Sequence, residues 1–277
     1  MSTSKRIHTA QGIELVRKLA AEGKVLFTSE DARAFAPLAG LSPGYLRQAL
    51  HHLARSGWIS RLRRGLYSLS GPTFGVSPLH EFEVAMALVR PAAISHWSAM
   101  SHHGLTDQPP RLVFVLTTAR DLPRLRGANA GLPREGYPAA GFRYRFVRIR
   151  PSRFFGIEES WVRDSRIRIT DPERTLLDGL LSPRCCGGFA EVLHAFEVRA
   201  PKLDVDRIVG YALRLGAATA KRLGWILERH GVKARRLKPL LDAPIKGYRP
   251  LDPTGPRRGP CDARWRIQAN LPGRVLP

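Results

Sequence analysis

Residues 28 to 69 place the tightest constraint on the fold: two short helical segments separated by a turn lead straight into a basic hairpin. Leu46, Ala49, Leu50 and Leu53 recur at the i, i+3, i+4, i+7 spacing of a one-sided helix. A helix running to Arg55 must bury that stripe and turn Tyr45, Arg47, Gln48, His51, His52 and Arg55 away from it. Ser42 can accept a hydrogen bond from an unpaired first-turn amide, and Pro43 sits where a missing N–H costs nothing, so the helix is expected to begin there. Gly57 is the expected stop. The preceding segment, Ser29 to Phe35, has an acceptor and two carboxylates, Glu30 and Asp31, at its amino end, where they oppose the helix dipole. After Gly57, Arg63-Arg64-Gly65 makes a tight reversal between two short strand-like runs of a basic hairpin, Trp58 to Tyr67. Helix, turn, helix and cationic hairpin in that order outline a winged helix-turn-helix.

Such a motif meets DNA with a helix face in the major groove and a hairpin on phosphates or in the minor groove. Arg47 and Gln48 are the expected base readers, with His51 on the same polar face. Ser42, Tyr45 and Arg55 are expected on the backbone, joined from the wing by Arg61, Arg63 and Arg64. Inverted half-sites would require two copies of the chain, preformed or assembled on DNA.

The charge agrees with a polyanionic partner: 45 Lys and Arg against 23 Asp and Glu leave +22 over 277 residues. Residues 1 to 74 hold eleven of the cations and four of the acids, so most of the excess lies downstream. Either the rest of the chain also touches nucleic acid, or the proteome is Arg-rich. The length fits two domains with real cores. No apolar run approaches a membrane span and the first residues lack a secretory segment, so a cytoplasmic protein is expected. Cys185 and Cys186 are adjacent and Cys261 is remote. That spacing indicates neither a disulfide framework nor a zinc ribbon.

Turn-forming residues at Ser70 to Gly75 suggest a boundary, giving a DNA-binding domain over 1–74. Beyond it, Leu79 to Val89 and Ile94 to His103 read as helices. Leu112 to Thr117, Phe142 to Ile149 and Ile167 to Ile169 read as strands, and Leu122 to Gly141 as a Gly, Pro and Arg-rich loop. Thr170, Pro172 and Glu173 read as cap, first-turn proline and capping-box glutamate of a helix with Leu176, Leu177, Leu180 and Leu181 on one face. Helices are expected over Gly188 to Val198, Asp204 to Leu215 and Ala217 to His230. From Ala243 to Pro277, seven Lys and Arg, two Asp and sparse apolar residues suggest a loosely ordered basic tail. The expected class is α+β: an amino-terminal winged helix-turn-helix, then a larger mixed α/β domain over 75–242 with a helical carboxy-terminal part, and the tail at 243–277.

Four blocks carry a resemblance: Ile94-Ser-His-Trp97 through Gln108-Pro109, Ile169-Thr-Asp-Pro-Glu-Arg-Thr-Leu-Leu-Asp178, Gly187-Gly-Phe-Ala-Glu-Val192 and Arg222-Leu-Gly-Trp-Ile-Leu-Glu228. Together, in order and spacing over about residues 8 to 240, they resemble the AbiEi antitoxin family of abortive-infection, type IV toxin–antitoxin systems. The resemblance implies a winged helix that represses the system's own promoter at inverted repeats, joined to an antitoxin domain. It implies a nucleotidyltransferase-like toxin as functional partner, countered without a stable complex. No catalytic residue and no cofactor come with it, and the basic tail lies outside it.

The same blocks offer little for enzyme chemistry. His80, His96, His102 and His103 with Cys185 and Cys186 have zinc-ligand chemistry but no ligand spacing, and adjacent histidines point to different helix faces. Asp171, Glu173 and Asp178 could bind magnesium, but capping explains the first two without catalysis. Glu22-Gly23-Lys24 is nuclease-like only in letters. No P-loop, nucleophile elbow or Rossmann glycine run is present, so no enzyme is expected. The alternatives are a ligand-responsive winged-helix regulator and a DNA-targeted nuclease.

Overall fold

The computed structural model describes residues 3–70, 78–123 and 135–271, with side chains from residue 10. It divides into two compact units, residues 1–90 with 121–144 and residues 91–120 with 145–277, in a mixed α+β architecture.

The chain opens with α1 (Thr3–Ala21), whose Leu15, Val16 and Leu19 are fully buried. β1 (Leu26–Thr28) leads into α2 (Ser29–Phe35). The α2 cap is Thr28, one residue before the acceptor expected from sequence. Its Oγ1 accepts from the Asp31 amide at 3.1 Å, and Asp31 Oδ2 accepts from the Thr28 amide at 2.8 Å, a reciprocal capping box. A 3₁₀ turn at Pro37–Ala39 then leads to α3 (Leu46–Arg55). Leu46, Ala49, Leu50 and Leu53 form its buried stripe, packed with α1, Phe27 and Leu41 in one core.

The start of α3 differs from expectation. Ser42 closes a turn instead of capping the helix: its carbonyl accepts from the Tyr45 amide at 3.0 Å, and no side chain caps Tyr45, the residue before Leu46. Pro43 and Gly44 fall within that turn, which delays the helix by three residues. Gly57 does end it, in a left-handed conformation that side chains disfavour (φ +76°).

β2 (Ile59–Arg63) and β3 (Leu66–Leu69) form the hairpin, and β1 pairs with β3 to complete a three-stranded antiparallel sheet in the order β1–β3–β2. A bulge separates the Arg61↔Tyr67 and Arg63↔Leu66 pairs, and it buries Leu62 while both arginines stay exposed.

After α4 (Glu81–Leu88), capped by His80 Nδ1 accepting from the Phe82 amide at 3.1 Å, the chain enters the second unit. There it forms β4 (Ala92–Ile94), α5 (His96–His102) and β5 (Val113–Thr117), so Ile94 ends a strand instead of starting a helix. It returns for β6 (Tyr137–Ala139) and the first half of β7 (Phe142–Arg148). β6 corrects part of the expected loop at 122–141; residues 124–134 of that loop, and 71–77 of the expected boundary, lie outside the described residues. Two tyrosines bind the return segment to the first unit. The Tyr137 hydroxyl donates to the Leu62 carbonyl at 2.6 Å, beside the hairpin bulge, and the Tyr144 hydroxyl to the Glu81 carbonyl at 3.0 Å.

In the second unit, β8 (Ile157–Val162) and β9 (Ser165–Thr170) form a hairpin, and β9 pairs in parallel with β4, which pairs antiparallel with β5. Helices α6 (Pro172–Leu181), α7 (Phe189–Arg199), α8 (Val205–Leu215), α9 (Ala217–Arg229) and α10 (Ala234–Asp242) build a separate apolar core with α5. The α6 cap is Asp171, whose Oδ1 accepts from the Arg174 amide at 2.7 Å; Thr170 is the last residue of β9. Glu173 therefore falls one position short of a capping-box partner and turns instead to Arg199.

Of the segment expected to be a loose tail, residues 243–271 are folded, and 272–277 lie outside the described residues. β10 (Arg249–Pro250), β11 (Cys261–Asp262) and β12 (Ile267–Gln268) make a small sheet in the order β10–β12–β11. Leu251, Trp265 and Ile267 are fully buried in the helical core. Trp265 donates from Nε1 to Glu228 Oε2 at 2.6 Å and lies over Gly224, where a β-carbon would come within 2.0 Å of its ring. One buried indole thus supplies the apolar surface that composition alone did not promise.

Candidate nucleic-acid interface

The core stripe of α3 fixes which side chains face out. Arg47, Gln48, His51, His52 and Arg55 are exposed, and the His51 and His52 rings meet edge to face at 6.1 Å. Tyr45 is half-buried against the core, so only part of its ring is available. Ser42 is exposed in the turn before the helix. Across the hairpin, Arg61, Arg63 and Arg64 are exposed, and Arg63 donates to the Arg64 carbonyl at 3.4 Å. The structure thus places Arg47, Gln48, His51 and Arg55 on α3, Ser42 and Tyr45 just before it, and Arg61, Arg63 and Arg64 on the hairpin of the same unit.

What unites the two sets is electrostatic. Among the described residues, no carboxylate lies within 4.0 Å of Arg47, Arg55, Arg61, Arg63 or Arg64. Several acids of this unit are engaged elsewhere: Glu14 with Arg17 and Lys18, Asp31 with Lys24, Glu135 with Arg143, and Glu81 and Glu83 around His80. Unneutralised guanidinium groups on an exposed helix face and hairpin favour an anionic partner. Exposed Arg33 on α2 belongs with them, although sequence reasoning passed over it. At seven residues α2 is too short to show a polar face by periodicity; only its place ahead of α3 marks it.

The Asp171, Glu173 and Asp178 carboxylates are structural in their contacts. Arg174 is almost completely buried and donates from Nε to Asp178 Oδ1 at 2.9 Å and from Nη1 to the Arg153 and Phe155 carbonyls at 2.7 and 3.0 Å. Asp171 accepts from the Tyr211 hydroxyl at 2.9 Å; burial pushes the Asp171 carboxyl up, against the pull of the Arg174 amide and Tyr211. Burial, reinforced by that bond to Asp171, pushes the Tyr211 hydroxyl up to about 12. Glu173 Oε1 accepts from Arg199 at 2.8 Å and from the Asp204 amide at 3.2 Å, joining α6 to the start of α8.

The histidines are dispersed. His96 is buried with its Nδ1 2.8 Å from Ser95 Oγ, and burial holds its pKa below the ordinary value, partly offset by Asp178. His103 contacts the Thr170 carbonyl at 2.7 Å and His102 contacts Ser160 at 3.2 Å. Burial raises both adjacent thiols, Cys186 well above the ordinary range. Among the described residues, no three His, Cys, Asp or Glu side chains converge as a metal cage would require. Nor is any described helix long and apolar enough to cross a membrane.

Comparison with known proteins meets this geometry at one place. Residues 14–70, from the middle of α1 to the end of the hairpin, match the family model described as "Transcriptional regulator, AbiEi antitoxin". This segment is similar to the AbiEi antitoxin family. The AbiEi match takes in every residue singled out above for DNA, and it stops short of the four blocks at 94–228, whose contacts described here are packing, ion pairs and caps. No curated protein matches the chain. Among solved structures, the Rv2827c protein from Mycobacterium tuberculosis is similar at a TM-score of 0.63, with 14% identity over 93% of this chain and 90% of that one. At that identity the likeness is one of fold.

Proposed function

We propose that this AbiEi-type chain is a cytoplasmic winged-helix autorepressor and the antitoxin of a type IV toxin–antitoxin system. On this reading α3 lies in the major groove with Arg47 and Gln48 at base edges. Ser42, Tyr45, His51 and Arg55 flank it on or near the backbone, and Arg61, Arg63 and Arg64 grip phosphates from the wing. The second unit counteracts a nucleotidyltransferase-like toxin without forming a stable complex with it and without catalysis of its own. The operator is an inverted repeat occupied by two copies. One observation carries the proposal: within the segment that matches a transcriptional-regulator family, Arg47, Arg55, Arg61, Arg63 and Arg64 are exposed and, among the described residues, none has a carboxylate within 4.0 Å.

The test is an electrophoretic shift with the protein's own upstream region. Arg47→Ala is expected to weaken operator binding by roughly 1–3 kcal/mol and relax preference at one base position. Arg63→Gln with Arg64→Gln should weaken operator and unrelated duplex alike, with the log–log salt slope falling by about 0.9 for each phosphate no longer neutralised. Undiminished binding by both variants would remove α3 and the wing from the interface.

A further inference from the structure

The folded carboxy-terminal segment presents a second, separate field of positive charge. Lys246, Arg249, Arg257, Arg258 and Arg266 are all exposed, and among the described residues none has a carboxylate within 4.0 Å. The nearby acids are committed. Asp252 accepts from the Thr254 amide and hydroxyl at 2.7 Å each. Asp262 caps the Trp265 amide at 3.0 Å and faces Arg229 at 3.7 Å, Asp242 pairs with Lys238 at 2.7 Å, and Glu228 holds Arg264 and Trp265.

Beneath this field the charge is left largely uncompensated. Lys221 and Arg222 of α9 are almost fully buried, yet they donate to the carbonyls of Leu241 and Pro250. Burial lowers both pKa values. Asp242 and Asp252 oppose that effect, while Arg266 and Arg249 add to it.

The segment holds these cations on a fixed frame. Leu251 donates to the Gln268 carbonyl at 2.9 Å, Arg249 to the Arg266 carbonyl at 2.9 Å, and Ala269 to the Pro260 carbonyl at 2.8 Å. Asn270 Nδ2 donates to the carbonyls of Asp252 and Pro256, both at 2.9 Å, and its Oδ1 accepts from the Asp252 amide. Trp265 fixes the frame to α9. Unlike a disordered basic tail, this array loses little conformational freedom on binding a chain of phosphates.

An aromatic ring sits within the array. Tyr248 is 40% exposed, lies between Lys246 and Arg249 in sequence, and has the Arg266 guanidinium 5.7 Å from its ring centroid. Duplex phosphates would need only the cations. A ring and a guanidinium plane offered together suit an unstacked base, and single strands are bound by cationic tracks interleaved with such stacking surfaces. We infer that residues 246–266 form a binding surface for single-stranded nucleic acid, with phosphates on Lys246, Arg249, Arg257, Arg258 and Arg266 and a base on Tyr248. This surface is independent of the winged-helix proposal and lies beyond the family match.

Fluorescence anisotropy with the full chain and a short labelled oligouridylate tests it, with oligothymidylate, an unrelated duplex and anionic phosphatidylglycerol vesicles alongside. The wild type should bind both oligouridylate and oligothymidylate more tightly than the duplex or the vesicles. Tyr248→Ala should lower that affinity roughly 5-fold or more, while Tyr248→Phe retains it. Each of the five cations changed to Gln should reduce the salt slope by about 0.7. Operator binding should survive these changes, and Arg63→Gln with Arg64→Gln should leave oligouridylate binding intact, so the two surfaces fail separately. Unchanged tryptophan fluorescence and melting temperature would show that the exposed substitutions leave the fold in place. Variants that bind oligouridylate like the wild type, a wild type that ignores it at low salt, or binding to the vesicles or duplex alone would overturn the inference.

Discussion

Asp31 uses both of its oxygens: Oδ1 holds Lys24 at 2.7 Å, and Oδ2 closes the Thr28 capping box. Lys24 first, then the Thr28 amide, hold its carboxyl down at about 2. An unfolded aspartate titrates near 3.9. The group's folded pKa is depressed, so its contribution is whole above about pH 4 and is lost as the pH falls towards 2. Asp31→Asn should destabilise the chain by about 1 kcal/mol at pH 7, and most of the difference from wild type should be gone by pH 2; urea unfolding at the two pH values measures it. A deeper site behaves otherwise. Arg174 and Asp178 are 1% and 2% exposed, so salt and solvent screen them little. Removing Asp178 as Asp178→Ala leaves a buried guanidinium without its carboxylate and should cost about 3–5 kcal/mol. Arg174→Met with Asp178→Leu should cost less than the two single changes combined, a non-additivity that a double-mutant cycle in denaturant would register.

At the level of elements, α9 is organised around a missing side chain. Gly224 lies against the Trp265 ring, and Gly224→Ala would drive a methyl into it. That change should cost about 1–3 kcal/mol or more and shift tryptophan emission to longer wavelength as the indole is displaced. Trp265→Ala should cost about 3–5 kcal/mol by the cavity it leaves. The same packing explains what could be read from the sequence and what could not. The α3 stripe was legible because its four apolar residues are local and periodic, and the hairpin because Gly65 marks its reversal. β8 was not, since Glu158 and Glu159 stand side by side and break the alternation that marks a half-buried strand. The carboxy-terminal sheet was not either. Leu251, Trp265 and Ile267 are scattered through Arg, Gly and Pro, and they reach a core only by packing on helices far back in the chain. Gly224 and Glu228 were visible within one of the resembling blocks, but that they receive Trp265 is a long-range fact that no local pattern encodes. Caps slipped by a residue or more for a related reason: Thr28 and Asp171 compete with neighbours of equal chemistry, and the backbone turn decides between them. The residues proposed for DNA were read from α3 and the hairpin alone, which is why Arg33 escaped them.

For the whole molecule, two units with separate cores share a +22 chain, and each displays cations without acidic partners. With separate cores, damage to one need not melt the other, because stability is not uniform across a structure. If the wing reads DNA and the larger unit counters a toxin, the two activities should therefore be separable by substitution in the full chain. Arg63→Gln with Arg64→Gln should release a reporter driven by the upstream region while still relieving growth arrest when the chain is co-expressed with the neighbouring gene. Asp178→Ala, which strikes only the second core, should do the reverse: abolish relief of growth arrest while the operator shift persists at a temperature where the first unit stays folded. A chain in which either class of variant abolished both readouts would have to operate as one cooperative body.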